Sequence, residues 1–407
     1  MRHRIILVIA ALMTLIGAVS CVKKTIYEPS LEDDAISFSW YTMRSSAVTK
    51  ADPDMLVGGG GAATHLPTGE SFGVFGYFHP QHAGVAGGWN DGGDDNHPNL
   101  FYNEEVAISE AAGVYSYNYE NARFWPRNQL DRISFLAYFP YNPGIADGEP
   151  EPGTIVESFL DKNYERDGMV GFYYTVPENS EEHVDFMVSD LCMDQSKSVW
   201  TDNHAMGLTG NANGKVKFFF HHALCQVRVK AVLYDNSGNE DAIVHINYIR
   251  FNNVPVFGQC IPVPDYDSTT DTGRTTVEPT WPESTLSITR PDLTSGVGAG
   301  VCFDDPEDPA SLIPDNILLL IPHTFSDEAS FEINFDVKRK RNGNGEYYEY
   351  ANNTLSAPLK TVIDDVPMVG WQAGKIYTYV INLTLRKIEI NADETDWIIS
   401  GEDILFD

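Results

Sequence analysis

The sequence predicts an all-β protein built from β-sandwiches. Apolar and polar residues alternate with a period of two over many short segments, which is typical of strands with one buried face. Clusters of Gly, Pro, Asn and Asp separate these segments, and no long segment has the period of an amphipathic helix. The chain has 407 residues, 33 of them Gly and 23 Pro. Because of this length we expect more than one sandwich domain.

Residues 1–20 predict a lipoprotein signal peptide. A basic start precedes an apolar run over residues 5–19, which is shorter than the roughly 20 apolar residues of a membrane-spanning helix. The run ends in Ala18-Val19-Ser20-Cys21, which resembles a bacterial lipobox with Ala18 at the usual leucine position. The resemblance implies that Cys21 receives fatty acids such as palmitate and becomes the mature N-terminus. The alternative is an ordinary signal peptide with a cysteine nearby.

Residues 21–34 predict a polar tether, and a strand follows it. Ile36, Phe38 and Trp40 alternate with polar residues, so we expect the three side chains to share one buried face. Their burial would contribute roughly 5–9 kcal/mol. A loop rich in Gly, Pro and Asp follows at 51–67.

Further strands of the first half are predicted at 72–78, 114–119, 124–125, 133–139, 172–174 and 184–188. The polar loop 87–99 holds many oxygen donors, the ligand type that calcium prefers. The loop lacks the ordered spacing of a dedicated calcium loop, so a solvated turn is favoured and no metal or cofactor is predicted. The polar stretch 201–214 predicts a boundary between domains 35–207 and 208–407.

The second half predicts strands at 216–220 and 226–233 joined by a kink at 221–224, then strands at 243–251 and 317–321. A long connection is predicted over 262–294. The segments 331–337 and 347–350 flank Asn-Gly pairs, a strong hairpin signal. One strand is predicted over 375–390. A tail at about 396–407 contains four apolar residues without an obvious partner strand, Trp397, Ile399, Ile404 and Phe406.

Cysteines, histidines and net charge limit the classes of function. Four cysteines follow Cys21, and they predict either two disulfides in any of three pairings or buried free thiols, at Cys192, Cys225, Cys260 and Cys302. No nucleophile elbow, zinc motif, phosphate loop or dinucleotide fingerprint occurs, so we predict no enzyme. His221-His222 is expected to pack or face solvent within a strand. A net charge of −31 disfavours nucleic acid as a partner.

Several sequence segments resemble segments of the fimbrillins and follow one another in the same order. The fimbrillins are exported lipoprotein pilins of type V pili in Gram-negative anaerobes. The segments are the lipobox, Val48-Thr49-Lys50-Ala51 after the first strand, SFGVFGYF, the Trp125-Pro126 pair before ISFLAYFPY, VDFMVSD, VKFFFHHALCQVRV, LLLIPHTF and WQAGKIYTYVINLTL. The resemblance implies two transthyretin-like β-sandwich domains in tandem. It also implies an outer-membrane lipoprotein precursor that becomes part of a cell-surface pilus and contributes to adhesion.

In the fimbrillins a trypsin-like surface protease removes the anchor together with the first strand, and the C-terminal strand of a neighbouring subunit fills the vacated groove. For this chain, the resemblance implies that the cut follows Arg44 or Lys50 within the removable region 35–50. It also implies that the tail 396–407 is the donor strand. Lysine stands at position 50 where the family usually has arginine. In the alternative, neither bond is cut and the protein stays anchored.

A competing function is a surface-anchored glycan-binding or adhesive lipoprotein that does not polymerise. Trp89, Trp200 and Trp281 would then be platforms for sugar rings. The sequence leaves the choice among stalk, tip and anchor subunits open.

Overall fold

The computed structural model describes residues 35–42, 66–82, 84, 87–89, 98–111, 114–128, 130–143, 155–159, 169–177, 182–197, 215–233, 242–269, 273–287, 292–295, 300–302, 310–311, 318–340, 347–363, 366–383 and 388–396. A compact unit runs from Ile36 to Asp407, and the strands given below belong to it. Among the described residues, no helix has the length and apolarity to cross a bilayer.

Strands dominate the described chain, which confirms the all-β prediction. In chain order they begin with β1 (Ser37–Thr42), β2 (Ser71–His79), β3 (Phe101–Ala111), β4 (Val114–Asn118), β5 (Arg132–Phe139), β6 (Ile155–Phe159), β7 (Val170–Thr175), β8 (Met187–Ser189) and β9 (Leu191–Gln195). They continue with β10 (Lys215–His222), β11 (Cys225–Leu233), β12 (Ala242–Asn252), β13 (Phe257–Pro264), β14 (Arg274–Thr275), β15 (Val277–Thr280), β16 (Asp292–Ser295), β17 (Gly300–Cys302) and β18 (Ala310–Ser311). The remainder are β19 (Leu318–Leu320), β20 (His323–Thr324), β21 (Ser330–Lys340), β22 (Tyr347–Pro358), β23 (Thr361–Ile363), β24 (Val366–Met368), β25 (Gly370–Trp371), β26 (Lys375–Leu383) and β27 (Ile388–Asp396). Single 3-10 turns lie at Tyr266–Ser268 and Glu283–Thr285.

The largest sheet has nine described strands in the order β1-β10-β8-β5-β2-β3-β4, with β9 bonded to β5 and β14. The central strands β2 and β5 of this sheet are buried on both faces. Along β2, Phe72 and Val74 point into one apolar cluster, whereas Phe75 and Tyr77 point into a second and larger one. The period of two therefore places one core on each side of the sheet.

The other strands form two five-stranded sheets, β18-β11-β26-β27 with β19 beside β11 and β16-β12-β21-β22 with β17 beside β12. A four-stranded sheet has the order β15-β13-β7-β6, and the pairs β20-β25 and β23-β24 complete the set. The larger apolar cluster extends from β2 and β5 to β11, β21 and β26.

Some predicted elements differ from the structure. The predicted strand 375–390 is wrong as one strand, because the chain reverses after Leu383 and returns as β27, antiparallel to β26. The predicted connection 262–294 contains β14, β15 and part of β16. Residues 124–125 do not form one of the strands, although Trp125 is buried. The β21–β22 hairpin is present, with Lys340 opposite Tyr347, and a bend at Ala223-Leu224 separates β10 from β11.

The domain boundary between residues 207 and 208 stays a prediction. Strands from the two sides of this boundary pair with each other, because β10 lies beside β8, β13 beside β7 and β14 beside β9.

Candidate functional site

The candidate site is the first strand and the cleft that holds it. β1 lies at one edge of the nine-stranded sheet, and its bonded neighbour in the described sheet is β10. The two strands are parallel, in a register that runs from Ser37 beside Lys215 to Thr42 beside Phe220. Parallel pairs need a long connection between their strands, and here residues 43–214 lie between them. β1 is therefore held by tertiary contacts and not by a local hairpin.

Phe38 fixes the position of β1. Its side chain is 2 % exposed, and it lies against four other rings that we call the Phe38 pocket. The centroid of its ring is 5.6 Å from that of Phe218 in a stacked arrangement. The other three centroids lie 5.5, 5.5 and 5.9 Å away, in Phe101, Tyr119 and Phe135. Rings at these separations and tilts attract one another beyond the gain from burial alone.

The residue before β1 is held through its backbone. The Ile36 amide donates a hydrogen bond to the Arg123 carbonyl oxygen at 2.8 Å. The Tyr119 hydroxyl donates to the Ile36 carbonyl oxygen at 2.7 Å. The Ile36 side chain is 1 % exposed and belongs to the same apolar cluster as Phe38. The segment 119–123 therefore holds the start of β1 through both backbone groups of Ile36.

The predicted buried face of β1 is confirmed for Ile36 and Phe38. Trp40 lies in the strand, beside Phe218 in the register, but its side chain is outside the described residues. The other predicted site residues also lie outside them, namely Cys21, Arg44, Lys50, Trp397, Ile399, Ile404 and Phe406. The described chain ends at Asp396 in β27, which is the last strand of its sheet order.

The strand β10, beside β1, is bonded to its other neighbours by two adjacent histidines. His221 Nε2 donates to Asp190 Oδ1 at 2.6 Å, and His222 Nδ1 donates to Asp185 Oδ1 at 2.8 Å. The same Asp190 oxygen accepts from the Val277 amide at 3.2 Å, and its other oxygen is 3.6 Å from Nε of Arg274. These contacts fasten the end of β10 to the segment 185–190 and to β15. The sequence predicted only that the two histidines pack or face solvent.

Asp190 was not among the predicted site residues. Its side chain is completely buried, and its importance depends on partners that are 31 and 87 positions away in the sequence. The sequence signal was the Ser189-Asp190 pair inside an otherwise apolar segment, where a carboxylate needs a cation or hydrogen-bond donors.

The tryptophans proposed as sugar platforms are largely interior. Trp89 is 2 % exposed and its indole nitrogen donates to the Tyr266 hydroxyl at 3.1 Å. Trp281 is 8 % exposed and its indole nitrogen donates to the Ala223 carbonyl oxygen at 2.7 Å. Trp200 lies outside the described residues.

Three of the cysteines are buried free thiols, Cys192, Cys225 and Cys260. Burial raises the pKa of each thiol well above its ordinary value. Any disulfide among the four cysteines after Cys21 would need one of these three, so the structure agrees with the buried-thiol alternative. The described residues hold no cluster of three metal-ligating side chains, and most of loop 87–99 lies outside them.

The chain matches known proteins in both sequence and structure. A family model described as fimbrillin-like matches residues 63–397, which is well over half of the chain. A search of curated proteins gave no significant match. A solved fimbrial protein from Bacteroides vulgatus is similar at a TM-score of 0.56 and 20% identity, over 89% of this chain and 99% of that chain.

Two further solved structures are more distant. One is a putative cell adhesion protein from Bacteroides uniformis, with a TM-score of 0.39 and 13% identity over 89% of this chain and 98% of that chain. The other is the tip fimbrial protein Mfa3 from Porphyromonas gingivalis, with a TM-score of 0.32 and 9% identity over 81% of this chain and 94% of that chain. On the family match, the chain belongs to the fimbrillin-like family.

Proposed function

We propose that the chain is an exported lipoprotein precursor whose surface form is a fimbrial subunit, assembled by strand exchange and contributing to adhesion. Lipid on Cys21 holds the precursor at the outer membrane. A trypsin-like surface protease then cuts after Arg44 or Lys50. The cut frees β1 together with the anchor, and the C-terminal strand of another subunit takes its place.

The observation that carries this proposal is the edge position of a strand with a deeply buried aromatic side chain. β1 contributes backbone hydrogen bonds to one neighbour, and Phe38 fills a pocket made by other elements. An incoming strand that adds to an exposed edge uses the same two contributions, since backbone bonds give affinity and alternating pockets set the register. Release of β1 would therefore leave a cleft already shaped for another strand.

The C-terminal tail has a pattern that suits this cleft. Ile404 and Phe406 have the same types and the same spacing of two as Ile36 and Phe38. In an extended strand, residues at this spacing point to one face. We therefore propose that Ile404 and Phe406 of a second copy occupy the positions of Ile36 and Phe38, with Trp397 and Ile399 supplying further apolar contacts.

A reconstitution experiment tests the exchange. Soluble Cys21→Ser protein is treated with trypsin, and assembly is followed by ladders on denaturing gels without boiling. We expect ladders from the full chain and none from a chain truncated after Asp396, which retains β27. Phe406→Ala should weaken the ladder, with Leu355→Ala, at an exposed apolar residue of β22, as the control. Equal ladders from the truncated and full chains would contradict the donor role of the tail.

The processed terminus provides a second test. N-terminal sequencing of protein released from the cell surface should give a start at Ser45 or Ala51. A lipid-blocked Cys21 in all surface protein would instead support an anchored adhesive lipoprotein that does not polymerise. Cys21→Ser should abolish surface delivery, which surface labelling of intact cells would measure.

A further inference from the structure

The cleft that holds β1 has a second face, opposite the Phe38 pocket. Residues that lie beside each other in neighbouring strands point to the same face of the sheet, and successive residues of one strand alternate between the two faces. Phe38 points into the smaller apolar cluster. Ser37 lies beside Lys215 in the register, and Ser39 lies beside Lys217. The serines and lysines therefore share the opposite face, and we call Lys215 and Lys217 the lysine face of the cleft.

The lysine face is a local positive region in a strongly acidic chain. The net charge of the sequence is −31, so two copies of the chain repel each other in general. Lys215 is exposed and Lys217 is half-buried. The guanidinium group of Arg274 lies over the ring of Phe219, farther along β10, and its Nε is 3.6 Å from the buried carboxylate of Asp190. The charge of Arg274 is thus opposed within the subunit, whereas the lysine face can attract a carboxylate of an incoming strand.

β1 does not satisfy its own polar groups on this face. The side-chain oxygen of Ser39 is buried and has no hydrogen-bond partner among the described residues. Buried polar atoms usually have a partner, and one without a partner destabilises the folded arrangement. The Ser39 hydroxyl also carries no charge, so it gains little from a neighbouring ammonium group. β1 is therefore an imperfect occupant of the cleft at position 39.

The C-terminal tail carries a carboxylate at the matching position. In the proposed exchange, Phe406 of a second copy takes the place of Phe38. The next residue of the tail, Asp407, then takes the place of Ser39, and in the same register it lies beside Lys217. An ion pair across neighbouring strands stabilises their pairing. The tail thus has a negative charge where β1 has an unsatisfied hydroxyl group.

Given the proposed strand exchange, we infer that the lysine face selects an acidic strand, and that Lys217 binds the carboxylate of Asp407 from a second copy. The Phe38 pocket accepts a phenylalanine ring from either β1 or the tail, so packing in this pocket does not distinguish the two strands. The charge at position 39 does distinguish them. The exchange replaces a neutral strand with an acidic one, and the lysine face gives the exchange its direction.

The first test uses the uncut Cys21→Ser chain and does not depend on strand exchange. Ser39→Asp places a carboxylate beside Lys217 within β1, and Ser39→Asn is the matched uncharged control. Native-state hydrogen exchange should show that β1 opens about three- to tenfold less often in Ser39→Asp than in Ser39→Asn, as expected for a partly buried ion pair. Lys217→Gln should abolish this difference. Lys360→Gln, at a lysine between β22 and β23 that pairs with Asp327, should leave it unchanged.

The second test measures the incoming strand itself. A fluorescent peptide with the sequence of residues 397–407 is added to the trypsin-treated chain after the trypsin has been inhibited, and fluorescence anisotropy measures its binding. The Asp407→Asn peptide should bind about three- to tenfold more weakly than the parent peptide. This difference should shrink as salt rises from about 0.01 M to about 1 M, because the Debye length falls from about 30 Å to about 3 Å. An Asp407→Lys peptide should bind a Lys217→Glu chain more tightly than it binds the parent chain.

A gain from Ser39→Asp that requires Lys217, together with peptide binding that follows the charge at position 407, supports selection by the lysine face. Equal opening of Ser39→Asp and Ser39→Asn overturns it, and so does equal binding of the parent and Asp407→Asn peptides. If ladders form while these charge changes have no effect, strand exchange stands and the selection falls. If no ladder forms and no peptide binds, strand exchange is rejected and Asp407 is rejected as the partner of Lys217.

Discussion

Replacement of Phe38 by alanine tests whether β1 is a separable strand. The Phe38 ring is almost fully buried and contacts four rings from other elements. Removal of a buried phenylalanine side chain costs about 3–5 kcal/mol. Each 1.4 kcal/mol is about a factor of ten in an equilibrium constant, so the population with β1 detached should rise by roughly a hundred- to several-thousand-fold.

Native-state hydrogen exchange measures this opening strand by strand. In Phe38→Ala, amides of β1 and β10 that bond each other should lose protection, while amides of β2 and β5 keep theirs. The matched control is Phe172→Ala, a fully buried residue of the other apolar cluster, which should lower protection throughout its sheet. If Phe38→Ala lowered the protection of β1, β2 and β5 equally, β1 would unfold only with the whole unit, and the reasoning would be refuted.

Three further predictions concern buried polar groups. Asp190→Ala should lower the free energy of unfolding by about 3–5 kcal/mol in urea titrations, because Arg274 and His221 lose a buried carboxylate; Asp190→Asn should cost less, about 1–3 kcal/mol. Burial lowers the pKa of His323 from 6.5 to about 4, so the unfolded chain binds the proton first as pH falls. The stabilising effect of the neutral His323 ring is complete above about pH 6.5, and the free energy of unfolding should fall by about 3 kcal/mol between pH 7 and pH 4. The His323→Gln variant should not show this fall. At pH 8 the thiols of Cys192, Cys225 and Cys260 should resist alkylation by iodoacetamide in the native protein and react after unfolding. Mass spectrometry measures the alkylation.

The alternation of Ile36 and Phe38 was sufficient to predict β1 and its buried face. The Phe38 pocket was beyond sequence reasoning, since its rings come from positions 101, 119, 135 and 218. Periodicity identifies which side chains of a strand are buried, but it does not identify their partners across a sheet. The parallel register with β10 was equally hidden, because no short turn joins the two strands.

β3 was missed because its period is interrupted. Phe101 and Asn103 are buried, as are Val106 and Ile108, so the buried positions change from odd to even along the strand. The register against β2 shifts between Val74 and Gly76, and Asn103 has a φ of 46°, as expected at a bulge with an extra residue. The β26–β27 turn was missed for another reason: residues 384–387 contain none of the usual turn formers Gly, Pro, Asn or Asp.

β10 is held by more contacts with other elements than β1 is, and this difference affects the proposed strand exchange. β1 bonds one neighbour, and the described buried side chains that hold it are those of Phe38 and of Ile36, the residue before it. β10 also pairs with β8, and the Asp190 and Asp185 contacts fasten its end to other segments. If the proposed cut frees β1, the groups that hold β10 remain, and we expect the cleft to persist instead of closing. A persistent cleft leaves Phe218 and its neighbouring rings exposed, and this unfilled apolar edge supplies the driving force for a second strand to bind.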